Sequence, residues 1–328
     1  MAGEKAEVLM IEPLMPLIDE GVDRNFTLHR YWQAPDRDAL IAGLAPRLRA
    51  IVAGGTTHQK VGADLMEKLP RLEFIASFGV GYDHVDIKWA AQHGIVVTNT
   101  PDVLTEEVAD TALGLLLCTV RQLSQAERYL RAGRWREGDF PLSRATLRDR
   151  TVGIIGLGRI GKAIARRLDG FGVPVVYHGR HPQAGVAYRY YQNLLEMARD
   201  VDTLMVVTPG GAGTRAMINA AVLEALGPRG ILINMSRGST VDDASLADAL
   251  RTGKILSAGL DVYAHEPNVP AELLAMDHVT LLPHVGSASV YTRSAMGQLV
   301  VDNLMAWAAG KPPLTPVPET PVPGTGGR

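Results

Sequence analysis

The sequence predicts an α/β protein made of two Rossmann-like, doubly wound parallel-sheet domains with an active-site cleft between them. Three observations lead there. An apolar run, Val152 to Ile155, feeds directly into Gly156-Leu157-Gly158-Arg159-Ile160-Gly161, then a helical pattern over Lys162–Leu168 and a second apolar run from Val173 to Tyr177. Upstream of this unit, strand and helix signals alternate from the start of the chain to residue 100, the order that builds a parallel sheet flanked by helices. The length of 328 residues suits two domains.

The elements follow in order. The opening Met1-Ala2-Gly3-Glu4-Lys5 has neither the basic start nor the long apolar core of a secretion signal. Strands are predicted at Val8–Ile11, Leu28–Tyr31, Ala50–Ala53, Phe74–Ser77 and Val96–Thr98, with helical patterns between them such as Asp36–Leu44 and Asp64–Leu69. Asn99-Thr100-Pro101 breaks the pattern. Thr105–Leu123 then reads as one long helix, with Glu106, Glu107 and Asp110 early and Arg121 late, as the helix dipole prefers. Arg131 to Leu142 has no clean period and is rich in charge, with Trp135 and Phe140 among the charges; it reads as a projecting arm. After the glycine unit come strands at Thr203–Val207, Ile231–Met235, Ser257–Leu260 and Val279–Leu282, and a helix over Thr292–Ala309. The tail from Pro312 to Arg328 is dominated by Pro, Gly and Thr and is expected to be disordered. No repeat of 20–50 residues is present. Residues 1–100 and 289–328 are expected to form a discontinuous substrate-binding domain. Residues 101–288 form the cofactor domain, with a dimerisation arm near 121–150.

An apolar fraction of 46% and a charged fraction of 21% describe an ordinary globular chain. A net charge of −2 gives no electrostatic reason to bind nucleic acid or an anionic membrane. The longest apolar run, Leu113 to Val120, is too short to cross a bilayer. One cysteine, Cys118, excludes an internal disulfide framework and a cysteine-based metal cluster; within that apolar run it reads as a small buried hydrophobe. A reducing cytoplasm is the expected location.

Glycine is needed at three places in the motif for different reasons. Gly156 allows a tight turn, Gly158 lets backbone amides approach phosphate, and Gly161 lets the helix pack on the strand. The helix N-terminus adds partial positive charge. In its strand–turn–helix–strand frame the motif predicts a dinucleotide site. The alternative is a glycine-rich turn in some other α/β protein.

Three later segments each follow an apolar strand, where open α/β sheets place ligands. They are Ile233–Gly238, Gly259–Pro267 and Leu281–Ala288, and they carry Arg237, Glu266 and His284. Such a trio can divide the reduction of a 2-oxo acid. Arginine clamps a carboxylate bidentately. Histidine gives a proton to the carbonyl oxygen as hydride reaches carbon. A carboxylate beside an imidazole favours imidazolium, so the acid is loaded near neutral pH. Taken singly, Arg237 reads equally as a surface ion-pair partner, Glu266 before Pro267 as a turn residue, and His284 after Pro283 as a structural histidine.

Together with Phe78-Gly79-Val80-Gly81-Tyr82-Asp83-His84-Val85-Asp86 and Asn99-Thr100-Pro101-Asp102-Val103-Leu104-Thr105, these segments resemble the D-2-hydroxyacid dehydrogenase family. The resemblance runs from Val8 to Val317 and is strongest to the glyoxylate/hydroxypyruvate and hydroxyphenylpyruvate reductase branch. It implies that Arg237 binds and orients the substrate carboxylate, that Glu266 partners the histidine, and that His284 is the general acid/base. It implies that the Val80 and Gly81 amides also bind the carboxylate and that Asp261 positions the nicotinamide carboxamide. Further cofactor contacts are expected from Thr105, from Leu157, Arg159 and Ile160 within the glycine motif, and from Thr208, Pro209, Met235, Ser236, Arg237, His284 and Gly286. Formate dehydrogenases share the fold but place glutamine where Glu266 stands, so glutamate argues for carbonyl/alcohol chemistry.

An NAD site usually carries an acid at the end of its second strand for the ribose hydroxyls. Here Val175-Val176-Tyr177 is followed by His178-Gly179-Arg180-His181-Pro182, and no carboxylate occurs between Asp169 and Glu196. Arg180, with His181 beside it, suits a 2′-phosphate, so NADP(H) is preferred, with NAD(H) the alternative. The Tyr-x-Gly-Arg pattern resembles NADPH-using members of the branch. The competing reading of Arg180 is a solvated loop arginine.

Trp135 and Phe140 read as interface anchors or, alternatively, as aromatics reaching a partner's active site; either implies a homodimer. Tyr82, Thr56, Thr57 and His58 are candidates for the substrate side, against a simple loop. The expected reaction is NADPH-dependent reduction of a small 2-oxo acid, glyoxylate or hydroxypyruvate first and arylpyruvates second. A rival of another class is a nucleotide-sensing corepressor or scaffold of the same fold.

Overall fold

The computed structural model describes residues 5–54 and 59–320. They divide into two compact units, one from the two ends of the chain (to Leu104 and from Ser289) and one from its middle, Thr105–Ala288.

The first unit holds five strands: β1 (Glu7–Met10), β2 (Thr27–Arg30), β3 (Leu48–Gly54), β4 (Phe74–Phe78) and β5 (Val96–Thr98). All pair in parallel in the order β2-β1-β3-β4-β5. β4 is buried throughout and β3 almost so, because helices cover both faces; this is why these strands read as continuous apolar runs rather than alternating ones. The helix Val290–Ala308 packs on this sheet, with Trp307 stacked on Phe74 at 5.4 Å between ring centres.

Of the tail expected to be disordered, the described part, Pro312 to Thr320, is ordered, and residues 321–328 lie outside the described residues. Through Thr320 it is laid along β5: Pro316 bridges Thr98, the Val317 amide donates to the Val97 carbonyl, and Thr320 accepts from the Val97 amide. The fully buried Asn303 accepts from the Leu314 and Thr315 amides and donates to the Thr315 hydroxyl. Low-complexity composition missed this because backbone pairing at a sheet edge needs no apolar side chains.

The middle unit has seven parallel strands: β6 (Val152–Ile155), β7 (Val175–His178), β8 (Arg189–Tyr191), β9 (Thr203–Val206), β10 (Ile231–Asn234), β11 (Ser257–Leu260) and β12 (Thr280–Leu281). Their order is β12-β11-β10-β9-β6-β7-β8. The chain winds outward from β6 through β8, returns to β9 beside β6, and winds the other way. The reversal between β6 and β9 is the position at which doubly wound sheets bind ligands. β8 lacks an aliphatic run, so the sequence pattern missed it. It is held by its pairing to β7 and by the His178 ring bonded to the Tyr191 carbonyl at 2.9 Å.

The helix expected over Thr105–Leu123 ends at Arg121. Gln122 adopts left-handed backbone (φ 54°) and a second helix, Leu123–Arg131, begins after it. Its buried Gln125 donates to the Asp277 carbonyl at 2.9 Å, which ties it to the chain entering β12. In the arm beyond, Phe140 packs edge-on against Tyr129 and Arg134 lies over the same ring, while Trp135 is 65% exposed. Cys118 is only half-buried rather than enclosed.

Candidate active site

The phosphate turn begins where β6 ends. Gly156 has φ +98°, and a Cβ there would lie 2.9 Å from the backbone of Thr208 after β9. At Gly161 a Cβ would lie 2.3 Å from the Gly156 carbonyl oxygen, so the helix Arg159–Gly170 can pack on the turn only without a side chain. Gly158, the residue before that helix, has no neighbour within 4 Å of the position its Cβ would take. Two glycines are thus required by the fold and the third leaves backbone open to approach, as a dinucleotide pyrophosphate at a helix N-terminus needs.

Beside this turn, Gly179–Gln183 leaves β7. The Tyr190 hydroxyl donates to the Gly179 carbonyl at 3.1 Å, the Gln183 amide donates to the Tyr177 hydroxyl at 2.8 Å, and Gln183 Nε2 donates to the Leu157 carbonyl at 2.7 Å. Arg180 and His181 lie between these ties and are exposed. Among the described residues Arg180 makes no ion pair or hydrogen bond.

β10 delivers Met235, Ser236 and Arg237. The turn is set by Asn234, whose side chain accepts from the Ser236 amide at 3.1 Å and donates to the Arg237 carbonyl at 3.1 Å. Thr240 donates to the same carbonyl through its hydroxyl at 2.7 Å. Ser236 Oγ donates to the Thr208 carbonyl, joining this turn to the one after β9, where Thr208 and Pro209 sit. At Gly238 a Cβ would lie 1.8 Å from the Tyr263 carbonyl carbon. Only glycine lets the Arg237 turn pack on the segment leading to Glu266.

The segments after β11 and β12 meet through Asp261, Glu266 and His284. Asp261 is buried; Oδ1 accepts the Val285 amide at 2.7 Å, Oδ2 accepts the Gly286 amide at 2.8 Å, and its carbonyl accepts the His284 amide at 2.9 Å. Burial pushes its carboxyl above the ordinary range, against the two amides that favour the anion. These three bonds hold His284 in left-handed backbone (φ 55°). His284 Nδ1 lies 2.7 Å from Glu266 Oε2, and Glu266 Oε1 accepts the Tyr263 amide at 2.9 Å. Burial pushes the Glu266 carboxyl up, but the His284 hydrogen bond and charge, the Tyr263 amide and the Arg237 charge together hold it below the usual range. The Gly286 carbonyl accepts from Thr111 of the helix that starts at Thr105, and Met235 lies against Gly286.

In the first unit, Val80 and Gly81 follow β4. The Asn99 side chain donates to the Val80 carbonyl at 2.8 Å, and the Thr100 hydroxyl accepts the Gly79 amide at 3.1 Å. Among the described residues the amides of Val80 and Gly81 donate to no protein group. Tyr82 gives its hydroxyl to Glu319 at about the same distance from both carboxylate oxygens (3.0 and 3.1 Å), and burial, then Glu319, push the phenol up to about 12. Thr56, Thr57 and His58 lie outside the described residues.

Sequence patterning singled out Arg237, Glu266 and His284, and the structure brings Glu266 and His284 together. Patterning missed Gly238, the second task of Asp261, and Gln183, because none of them sits in a recognisable period; their roles depend on which backbone another segment presents.

Residues 113–286 match the model of the D-isomer specific 2-hydroxyacid dehydrogenase NAD-binding domain. Over 314 residues the chain is 44% identical to glyoxylate/hydroxypyruvate reductase A of Arabidopsis thaliana, covering 96% of this chain and 99% of that protein. It is equally similar, 44% over 96% and 99% of the two chains, to hydroxyphenylpyruvate reductase of Plectranthus scutellarioides. The crystal structure of an NADPH-dependent glyoxylate/hydroxypyruvate reductase from Sinorhizobium meliloti, in complex with NADP and malonate, superposes with a TM-score of 0.92. The two are 53% identical over 97% of this chain and 98% of that one.

Proposed function

The chain belongs to the D-isomer specific 2-hydroxyacid dehydrogenase family, and we propose that within it this protein reduces glyoxylate or hydroxypyruvate to the D-2-hydroxy acid with NADPH. The observation that carries the reading is the 2.7 Å contact of His284 Nδ1 with Glu266 Oε2. With Nδ1 held by a carboxylate, Nε2 is the ring nitrogen left to exchange a proton with substrate. The negative charge on Glu266 favours the protonated ring that reduction requires.

NADPH, when bound, supplies the hydride that reaches the carbonyl carbon. Gly156, Gly158 and Gly161 with the helix behind them would hold its pyrophosphate, and Arg180 with His181 its 2′-phosphate. Arg237 clamps the substrate carboxylate and turns the carbonyl toward His284. As the carbon–oxygen π bond opens, its electron pair takes the proton from His284 Nε2. The neutral imidazole is then reprotonated from solvent, and Glu266 limits its tilt throughout. In the oxidative direction the neutral ring takes the proton back.

Arylpyruvates are the second substrate reading, favoured by the 44% identity to hydroxyphenylpyruvate reductase. A second copy of the chain is the partner we assign to the arm, whose Leu130, Trp135 and Leu142 are 56%, 65% and 93% exposed. No helix among the described residues is long and apolar enough to cross a membrane, and the reading places the protein in the cytoplasm. The test is steady-state turnover with glyoxylate, hydroxypyruvate and phenylpyruvate, each with NADPH and with NADH. Faster turnover of the two small acids with NADPH is expected. No turnover of any would leave the scaffold reading standing, and a preference for NADH would overturn the cofactor assignment.

A further inference from the structure

Arg180, to which the 2′-phosphate is assigned, sits on a loop, and loops are mobile unless something ties them. Here the loop is tied at both ends by tyrosine hydroxyls: Tyr190 holds the Gly179 carbonyl and Tyr177 receives the Gln183 amide. Tyr177 is itself buried, 2% exposed, so its hydroxyl is a fixed point. One side chain links this loop to the phosphate turn, since Gln183 Nε2 donates to the carbonyl of Leu157, between Gly156 and Gly158. Leu157 is buried, 2% exposed, and cannot yield to follow a moving partner.

We infer that Gln183 is a positioning residue for cofactor selectivity, setting the distance between the pyrophosphate turn and the arginine that reads the 2′-phosphate. The reading rests on the assignment of Arg180 to that phosphate. NADPH spans both loops by its own covalent length, so a fixed spacing lets both ends bind without an ordering cost at the moment of binding. NADH has no phosphate at the second loop and gains little from the spacing. Gln183 contacts no reacting atom; its effect passes through Arg180.

The experiment is a titration of NADPH and NADH, followed by nicotinamide fluorescence, on the wild-type protein, Arg180→Ala, Gln183→Met and the double variant. Methionine keeps the length of glutamine and removes its carboxamide, and with it the donor to the Leu157 carbonyl. A neutral hydrogen bond lost at one end predicts NADPH weakened about threefold to tenfold by Gln183→Met, with NADH changed less than about twofold. In the Arg180→Ala background the same change should then add less than about twofold, because the group it positions is gone. Tyr177→Phe, which removes the acceptor of the Gln183 amide, should shift NADPH in the same direction. Equal weakening of both cofactors would make Gln183 merely structural. An undiminished effect in the Arg180→Ala background would break the route through Arg180. If Arg180→Ala itself leaves NADPH unaffected, the phosphate assignment fails, and the role of Gln183 with it.

Discussion

Glu266 and His284 are joined by a single contact of 2.7 Å between Oε2 and Nδ1, and each is anchored from its other side by a backbone bond to the one segment that follows β11. Glu266 takes the Tyr263 amide through Oε1, while the His284 amide is taken by Asp261. The pair is therefore fixed by the sheet rather than by the mutual attraction of two mobile side chains. Orientation of this kind is what the general-acid role we propose for His284 needs before substrate arrives.

Glu266→Gln keeps the shape and removes the charge. Glu266 is held below the usual carboxylate range, so it is ionised across the neutral range and its removal takes away a full negative charge there. Imidazolium is then less favoured. The decline of kcat/KM for reduction at high pH should move to lower pH, while NADPH affinity stays within about twofold. A pH profile of reduction with saturating NADPH checks this; an unmoved alkaline limb would refute the pairing as a functional one.

Much of this site was legible in the sequence, and the reason is local. Gly156, Gly158 and Gly161 are a strand-to-helix turn whose demands are met within a few residues, and Arg237, Glu266 and His284 each follow a recognisable apolar strand. The rest depends on distant segments. Gly238 reads as a loop glycine until the Tyr263 backbone is found 1.8 Å from its missing Cβ. Asp261 gives no local sign that both its oxygens hold the His284 segment. The break at Gln122 was hidden because the residues on either side continue to look helical; it rests on the left-handed backbone of Gln122 and on the bonds of Gln125 to the distant carbonyls of Asp277 and Val279. The tail was misread for the converse reason, since Thr315 and Val317 are ordered by backbone partners that composition does not encode.

Arg237→Lys keeps the positive charge and loses the planar fork. A charge-assisted hydrogen bond contributes about 1.5–3 kcal/mol, so KM for glyoxylate should rise roughly tenfold to hundredfold. NADPH affinity should be nearly unchanged. Initial rates across glyoxylate concentration at saturating NADPH decide the matter, and an unchanged KM and kcat/KM would make Arg237 structural.

Gly238→Ala alters no functional group. The added Cβ overlaps the Tyr263–Ala264 backbone, so the Arg237 turn and the segment carrying Glu266 must separate. Misplacing a catalytic group by about 1 Å can lower a rate about 10²-fold. We expect a fall in kcat/KM of about that size in a protein that still binds NADPH, because the phosphate turn lies on other strands. Activity within about twofold of wild type would show that the packing at Gly238 does not set the site.

Glu12 offers a prediction about stability rather than catalysis. It follows β1, is 3% exposed, and accepts the Gly54 amide through Oε1 at 3.0 Å, while Oε2 has no hydrogen-bond partner among the described residues. Burial pushes its carboxyl up to about 6 from 4.5, against the Gly54 amide that favours the anion. In the folded protein the group holds its proton up to that value; in the unfolded chain it gives the proton up earlier. The unfolded state thus binds fewer protons across this window, and stability falls as pH rises from about 4.5 to about 6, then stays level. The shift corresponds to about 2 kcal/mol. Glu12→Gln keeps an acceptor for the Gly54 amide and carries no charge at any pH. It should stabilise the protein by about that order near pH 8 and change it little near pH 4. Thermal unfolding of both proteins at the two pH values is the measurement, and an equal change at both would show that the Glu12 charge is not what burial penalises.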